Sequence, residues 1–269
     1  MINPEIQARL RANYNPEGSD LRALQLKMLS MLISVDKICR ENKIKYWLSS
    51  GTCLGAYRHG GFIPWDDDVD IEMLEKDYKK FCSVMQNNSD YGIVFQTTEN
   101  DPGYNLSFGK IRDVHSTVKE VHDLDMFYKY KGIFIDVFSL IPTNSLVFSK
   151  LGHYMKRIEL KLKYKMMRTG GYRSVYYVLK GLNNLILPLL KIGLSFRSFG
   201  NLRHEFGNCF LSLRNINDIF PLKYMQFEGY DFPVPRDTDS YLRKIYGNGY
   251  DSLPKLSKIE VHMNEFTLM

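Results

Sequence analysis

Residues 62–71 read FIPWDDDVDI, four carboxylates in ten positions, bordered by Phe62, Ile63, Pro64 and Trp65 and interrupted or followed by Val69 and Ile71. A run of acids is ordinarily a solvated turn, but these acids pass straight into residues that belong in a core. Read as a strand over 65–73, the segment alternates its side chains across two faces. Asp66, Asp68 and Asp70 then share one face, and Asp67, Val69 and Ile71 the other. Two carboxylates held about 4 Å apart repel by roughly 4 kcal/mol at an effective dielectric near 20. Such a pair keeps a proton or takes up a cation. Oxygen donors without nearby sulfur favour Mg²⁺ or Mn²⁺, with coordination positions left over for phosphate oxygens.

A second acid makes the same demand. Asp136 stands alone in GIFIDVFSL, where Ile133, Phe134, Ile135, Val137 and Phe138 describe a fully buried strand. An unpartnered carboxylate there would cost several kcal/mol, on the order expected for a buried polar group. The expectation is that Asp136 joins Asp68 and Asp70 as a catalytic and metal-binding set. Upstream, SSGTCLGAYRHGG puts Ser49, Ser50, Gly51 and Thr52 where a strand gives way to a short helix. Such a junction serves as a simple N-cap or, with its free N–H groups and positive helix end, as a phosphate cradle. Arg58 and His59 follow that helix, and GKIRD sets Lys110 and Arg112 on one face of a strand. The basic pairs would neutralise phosphate charge or lie at a solvated strand edge. His59 in its glycine-flanked turn reads as structural or catalytic, and Trp65 as a packing residue or a contact for a base or head group.

The remaining chain frames these residues as an α+β domain, a mixed sheet flanked by helices. An amphipathic helix is predicted over 20–41, where Leu21, Leu24, Met28, Leu32, Val35 and Cys39 recur at three- and four-residue spacing. Strands are predicted at 44–48, from Tyr91, from Asn105 and over GIFIDVFSL, a polar-faced helix over about 75–87, and a hairpin around MQFEGYDFPVP with a last helix at DTDSYLRKIYG. Residues 1–142 form the catalytic core, 143–200 a helical insertion, and 201–269 a portion completing the same domain. The four cysteines are far apart with no C-x-x-C pair, which suggests neither a zinc site nor a disulfide framework. The N-terminal segment lacks the apolar run of a signal peptide, so a reducing cytoplasm is the expected location.

These motifs carry a resemblance. YWLSSGTCLGAYRHGGFIPWDDDVDIEM at 46–73 resembles the signature of the LicD family of phosphotransferases, to which fukutin and fukutin-related protein are similar. The likeness continues through KIRD and Thr117 to GIFIDVFSLIP and returns in YLRKIYGNGYDSLP. It implies a polymerase-beta-like nucleotidyltransferase fold that moves a phospho-alcohol, typically phosphocholine, from a CDP-linked donor to a sugar hydroxyl. It also implies metal binding by Asp68 and Asp70, a third acid at Asp136, and a donor-facing turn at Gly51 and Thr52. Ser139 departs from the family's frequent proline, which should alter only the strand exit.

Charge adds a second theme. Between Lys150 and Arg173 there are eight basic residues and one acid, Glu159, whereas the rest of the chain is close to neutral. The apolar run SVYYVLKGLNNLILPLLKIGLSF follows, interrupted by Lys180, Asn183, Asn184, Pro188 and Lys191, and reads as an interfacial helix rather than a spanning one. Residues 145–200 would hold the protein against anionic lipid, beside a glycan or lipid-linked glycan acceptor, or would pack as a solvated basic helix on the core. No nucleic-acid-binding motif accompanies the basic stretch. Rival readings are transfer of glycerol or ribitol phosphate, true nucleotidyl transfer releasing pyrophosphate, and a silent scaffold in a glycan-assembly complex. Lys255, Lys258 and His262 in LPKLSKIEVH are further basic candidates for the pocket.

Overall fold

A computed structural model of the chain describes residues 2–86, 91–120, 125–208, 210–253 and 263–268; Lys255, Lys258 and His262 lie outside these. The chain runs α1 (Pro4–Tyr14), α2 (Asp20–Glu41), β1 (Trp47–Leu48), α3 (Ser50–His59), β2 (Asp70–Leu74), α4 (Glu75–Gln86), β3 (Ile93–Gln96), β4 (Gly109–Asp113), β5 (Ser116–Glu120) and β6 (Phe134–Pro142). It continues with α5 (Leu146–Thr169), α6 (Arg173–Ser195), β7 (Asn201–His204), β8 (Arg214–Asn215), α7 (Ile216–Ile219), β9 (Lys223–Phe227), β10 (Tyr230–Val234), α8 (Thr238–Tyr246) and β11 (Met263–Leu268). The main sheet is mixed, in the order β1-β2-β6-β4-β3, with β7 pairing β6 and β8. Within it β2 and β6 are parallel, while β1, β3, β4, β7 and β8 pair antiparallel to their neighbours. The expected α+β class is what the chain adopts.

The longest core helix forms where the periodicity says it should. Ser19 caps α2 by accepting from the Arg22 N–H, and Leu24, Met28, Leu32, Val35 and Cys39 are buried against the sheet. The strand predicted at 65–73 is shorter, starting only at Asp70. Pro64 cannot donate to a ladder, and the buried Gln25 side chain of α2 instead donates to the carbonyls of Asp66 at 2.9 Å and Ile63 at 3.5 Å. Residues 62–69 are therefore a loop tied to α2, and strand alternation does not explain where Asp66 and Asp68 point.

Residues 145–200 form a helical hairpin, α5 and α6, broken at Gly170 with φ 71°. Lys163 Nζ donates to the Tyr104 carbonyl at 2.7 Å, and the Gly207 N–H donates to His153 Nδ1 at 3.1 Å. Gly207, at φ +112°, sits so close to Ser107 and Lys156 that a Cβ would overlap both. Lys191 of α6 pairs with Glu75 and Glu205. The hairpin is thus pinned to the core, and by length and composition α6 is one helix long and apolar enough to cross a membrane. Pro188 and both asparagines lie within this continuous helix. Only 11% of its apolar window is buried.

Candidate active site

Asp70 and Asp136 face each other across the parallel β2–β6 pair as register partners. Paired residues on adjacent strands project to the same side of the sheet, so two buried strands deliver Asp70 and Asp136 to one place. The Asp136 N–H donates to the Val69 carbonyl at 2.8 Å, and the Asp70 N–H donates to Thr52 Oγ1 at 2.8 Å. Thr52 is buried, so its hydroxyl positions Asp70 from behind. Asp66, Asp68, Asp70 and Asp136 all line a cavity of about 920 Å³, together with Ser50 and Gly51 at the start of α3.

Helix α3 brings its N-terminus against these acids. Ser50 takes the left-handed conformation at φ 44°, and a Cβ at Gly51 would lie 3.0 Å from Asp66 Oδ2. The glycine leaves the helix start close to this carboxylate, and the positive helix end favours negative charge there. Burial, then the neighbouring Asp68 and Asp67, push the Asp66 carboxyl well above its usual range. Burial, then Asp68 and Asp136, do the same to Asp70. Burial also raises Asp136, although Lys110 opposes it.

Lys110 is the cation inside this group. Its Nζ stands 3.1 Å from Asp136 Oδ1 and 3.5 Å from Glu120 Oε2, and 3.2 Å from the centroid of the Phe134 ring. Strand β4 lies between β6 and β3, so Lys110 and Arg112 are interior and not at a solvated edge. The orphan Asp136 accordingly has a protein partner. Burial works to raise Glu120, but Lys110 and Arg112 outweigh it and hold that carboxyl low. Arg112 is fully buried, donating to Gln96 Oε1 and the Gly132 carbonyl and pairing with Glu120. It supports Glu120 and does not line the cavity.

Three other sequence candidates have partners elsewhere. Arg58 donates to the carbonyls of Tyr250 at 3.1 Å and Ser252 at 2.9 Å, and its Nε donates to His59 Nε2 at 2.8 Å. His59 Nδ1 meets Gln7 Oε1 at 2.5 Å, and burial followed by Arg58 pushes its pKa down to about 3. A ring that is neutral and doubly bonded at physiological pH is a clasp between α1, α3 and the C-terminal portion. Trp65 packs edge-on against Tyr14 at 5.3 Å and His59 at 6.2 Å. None of these three side chains lines the acidic cavity.

Glu72 is the residue the sequence reading missed. It is fully buried on β2 and accepts from Trp47 Nε1 at 3.1 Å, Tyr241 OH at 2.8 Å, His204 Nε2 at 2.7 Å and Arg214 Nη2 at 2.7 Å. Burial alone would raise its pKa, but Arg214 and the bonds from His204 and Tyr241 hold it well below the carboxylate range. His204 is itself pushed low, by burial and then by Arg214, so the neutral ring donates and Arg214 supplies the balancing charge. Tyr241 also meets the N-cap residue Ser49 at 3.0 Å. One carboxylate thus ties β1, β7, β8, α8 and the start of α3 to the strand carrying Asp70. The period of two that groups Asp68 with Asp70 also includes Glu72.

Among the described residues, no group of three or more His, Cys, Asp or Glu side chains is arranged to hold a metal ion. The chemistry of the donors nonetheless fits a hard divalent cation bound by few protein oxygens. Asp66, Asp68 and Asp70 are brought together at one wall, and burial followed by the neighbouring carboxylates disfavours the anionic forms of Asp66 and Asp70. A cation would relieve that repulsion.

A mixed α+β sheet that delivers acids from two parallel strands to a cavity beside a helix N-terminus defines a nucleotidyltransferase-like domain. Residues 43–168 match the family described as LicD/FKTN/FKRP, nucleotidyltransferase domain. It is 25% identical over 257 residues to the lipopolysaccharide cholinephosphotransferase LicD of Haemophilus influenzae, covering 87% of this chain and 92% of that protein. It is 38% identical over 93 residues to the human ribitol-5-phosphate transferase FKTN, and 53% identical over 34 residues to human ribitol 5-phosphate transferase FKRP. Those two matches span 33% and 13% of this chain but only 17% and 7% of the longer relatives.

Proposed function

We propose that this chain is a LicD-type phosphotransferase that moves phosphocholine from CDP-choline to a sugar hydroxyl of a cell-surface glycan or teichoic-acid precursor, releasing CMP. The observation that carries the reading is the Asp70–Asp136 pairing over the acidic cavity, and the H. influenzae LicD relative, matched over most of both chains, supports the cargo. A Mg²⁺ or Mn²⁺ ion held by Asp68 and Asp70 would supply charge neutralisation for the donor's diphosphate and for departing CMP. Asp136 takes the proton of the acceptor hydroxyl as its oxygen attacks the phosphorus bearing the alcohol, and the bond from that phosphorus to CMP breaks. Its raised pKa suits a base. Lys110 balances the charge that gathers around Asp136. Ser50 and Gly51 receive phosphate oxygens at the start of α3.

A second reading keeps the chemistry and changes the cargo to ribitol or glycerol phosphate, and the human FKTN and FKRP matches favour it. Incubation with CDP-choline, CDP-ribitol and CDP-glycerol in Mg²⁺ separates these, with products resolved by mass spectrometry. CMP from CDP-choline is the expected result, and CMP from another donor alone moves the assignment to that alcohol. Pyrophosphate release from a nucleoside triphosphate instead would indicate nucleotidyl transfer, and no turnover of any donor would indicate a scaffold.

The same reading has the enzyme in the cytoplasm, peripheral at the inner face of the membrane. Leu185, Leu189, Ile192 and Phe196 of the α6 region are exposed, and basic residues flank them at Arg173, Lys180 and Arg197. An apolar face bordered by cations suits an anionic lipid surface, where a lipid-linked acceptor would be met.

A further inference from the structure

The basic insertion is part of the cavity wall. Arg157, Lys161 and Lys165 of α5 line the same cavity as the acids, although nearly a hundred residues separate them from Asp68 in the chain. Successive members are four apart, so they share one helix face and rise about 6 Å per step, giving a cationic stripe of about 12 Å. Like charges at this spacing repel and weaken a helix. Elsewhere on α5, Lys156 is paired with Glu159 and Lys163 is capped by the Tyr104 carbonyl. Arg157, Lys161 and Lys165 are in no ion pair with a described residue.

The stripe is held in place by the Lys163 and His153 bonds that fasten α5 to the loops around Tyr104 and Gly207. It therefore keeps a fixed position relative to the acidic wall. One cavity with an acidic wall and a separate cationic wall has room for two differently charged groups. The acidic wall suits a cation and the phosphates that it carries. The cationic wall suits a second anion that reaches the protein without a metal.

We infer that Arg157, Lys161 and Lys165 form a subsite for a phosphate group on the acceptor, so that the enzyme selects a phosphate-bearing glycan over a neutral one. This rests on the transferase reading for the word acceptor; the anion subsite itself does not. The three residues are specificity-determining and take no part in bond making. Pyrophosphate in EDTA is a suitable probe, because removing metal silences the acidic wall and leaves the stripe as the anion-binding surface.

The experiment is calorimetry on the full chain and on the variant Arg157→Gln/Lys161→Gln/Lys165→Gln. All three side chains are exposed, so the variant should keep the wild-type circular dichroism spectrum and melting temperature. Pyrophosphate affinity in EDTA should fall about tenfold or more, as expected for losing several charge-assisted contacts, while affinity for CDP-choline in Mg²⁺ stays within about twofold. Equal pyrophosphate binding by the two proteins would overturn the subsite. A parallel loss of CDP-choline binding would assign the stripe to the donor and overturn the acceptor claim. If neither protein binds CDP-choline yet the pyrophosphate difference persists, the donor assignment fails while the anion subsite stands.

Discussion

Lys110 of β4 and Asp136 of β6 meet at 3.1 Å between paired antiparallel strands, which makes the amine the internal counter-charge of the proposed base. Replacing it by methionine removes an influence that lowers the Asp136 pKa. In Lys110→Met the acid limb of the pH–rate profile should therefore move to higher pH, and kcat/KM at pH 7 should fall about 10- to 100-fold, less than the roughly 10²–10⁴-fold of general-base catalysis because the base itself remains. An unmoved acid limb would separate Lys110 from the base.

The acids also set a pH dependence of stability. Asp66 and Asp70 have folded pKa values raised above the unfolded ones, so the folded chain binds more protons than the unfolded chain between those values. Their contribution to stability falls as pH rises from about 4, the unfolded carboxylate value, through the raised folded values. Melting in EDTA should show this loss toward neutral pH, and Mg²⁺ should restore the melting temperature near pH 7 by binding the ionised acids. No effect of Mg²⁺ on melting would count against metal binding there.

Glu72 predicts the opposite balance of stability and chemistry. Glu72→Gln leaves Arg214 buried without its counter-charge, and breaking a buried pair costs about 3–5 kcal/mol. Urea denaturation should show a loss of that order. A change under about 1 kcal/mol would mean that the network is not the clamp its geometry describes.

Much of this site was legible from the sequence, for identifiable reasons. Helix α2 follows directly from its apolar spacing and its Ser19 cap, and the β9–β10 hairpin from its apolar strands around Glu228–Gly229. Asp136 was visible because a single carboxylate interrupts an apolar strand. The loop at 62–69 was not, because the side chain that holds it, Gln25, lies about forty residues away. Arg58 and His59 look like site residues because they follow the glycine-bearing helix, but their partners Gln7, Tyr250 and Ser252 are distant in the chain. Periodicity sees neighbours along an element and is blind to such pairings. The same holds for β7 and β8, short segments that became strands by docking β7 beside β6 and β8 beside β7, and for α1, which buries no residue fully.

Membrane contact through α6 makes a separate prediction. Flotation with vesicles containing anionic lipid should carry wild type upward. Leu185→Ser/Leu189→Ser/Ile192→Ser should lose most of that fraction, since each leucine or isoleucine kept out of water contributes on the order of 1.5–3 kcal/mol. A variant with Arg173, Lys180 and Arg197 changed to Gln should float less than wild type on anionic vesicles, and the difference should shrink as the anionic lipid content is lowered. Equal flotation of all three proteins would remove the membrane proposal.

The central claim is that Asp68 and Asp70 hold a divalent cation against the donor's diphosphate. Its most direct test is the rate of CMP release from CDP-choline in Mg²⁺ by Asp68→Ala and Asp70→Ala. The account predicts a loss of about 10³-fold or more, the scale of removing transition-state charge stabilisation, in proteins that melt at or above the wild-type temperature in EDTA because a repelling carboxylate is gone. Near-normal turnover by both variants would contradict it.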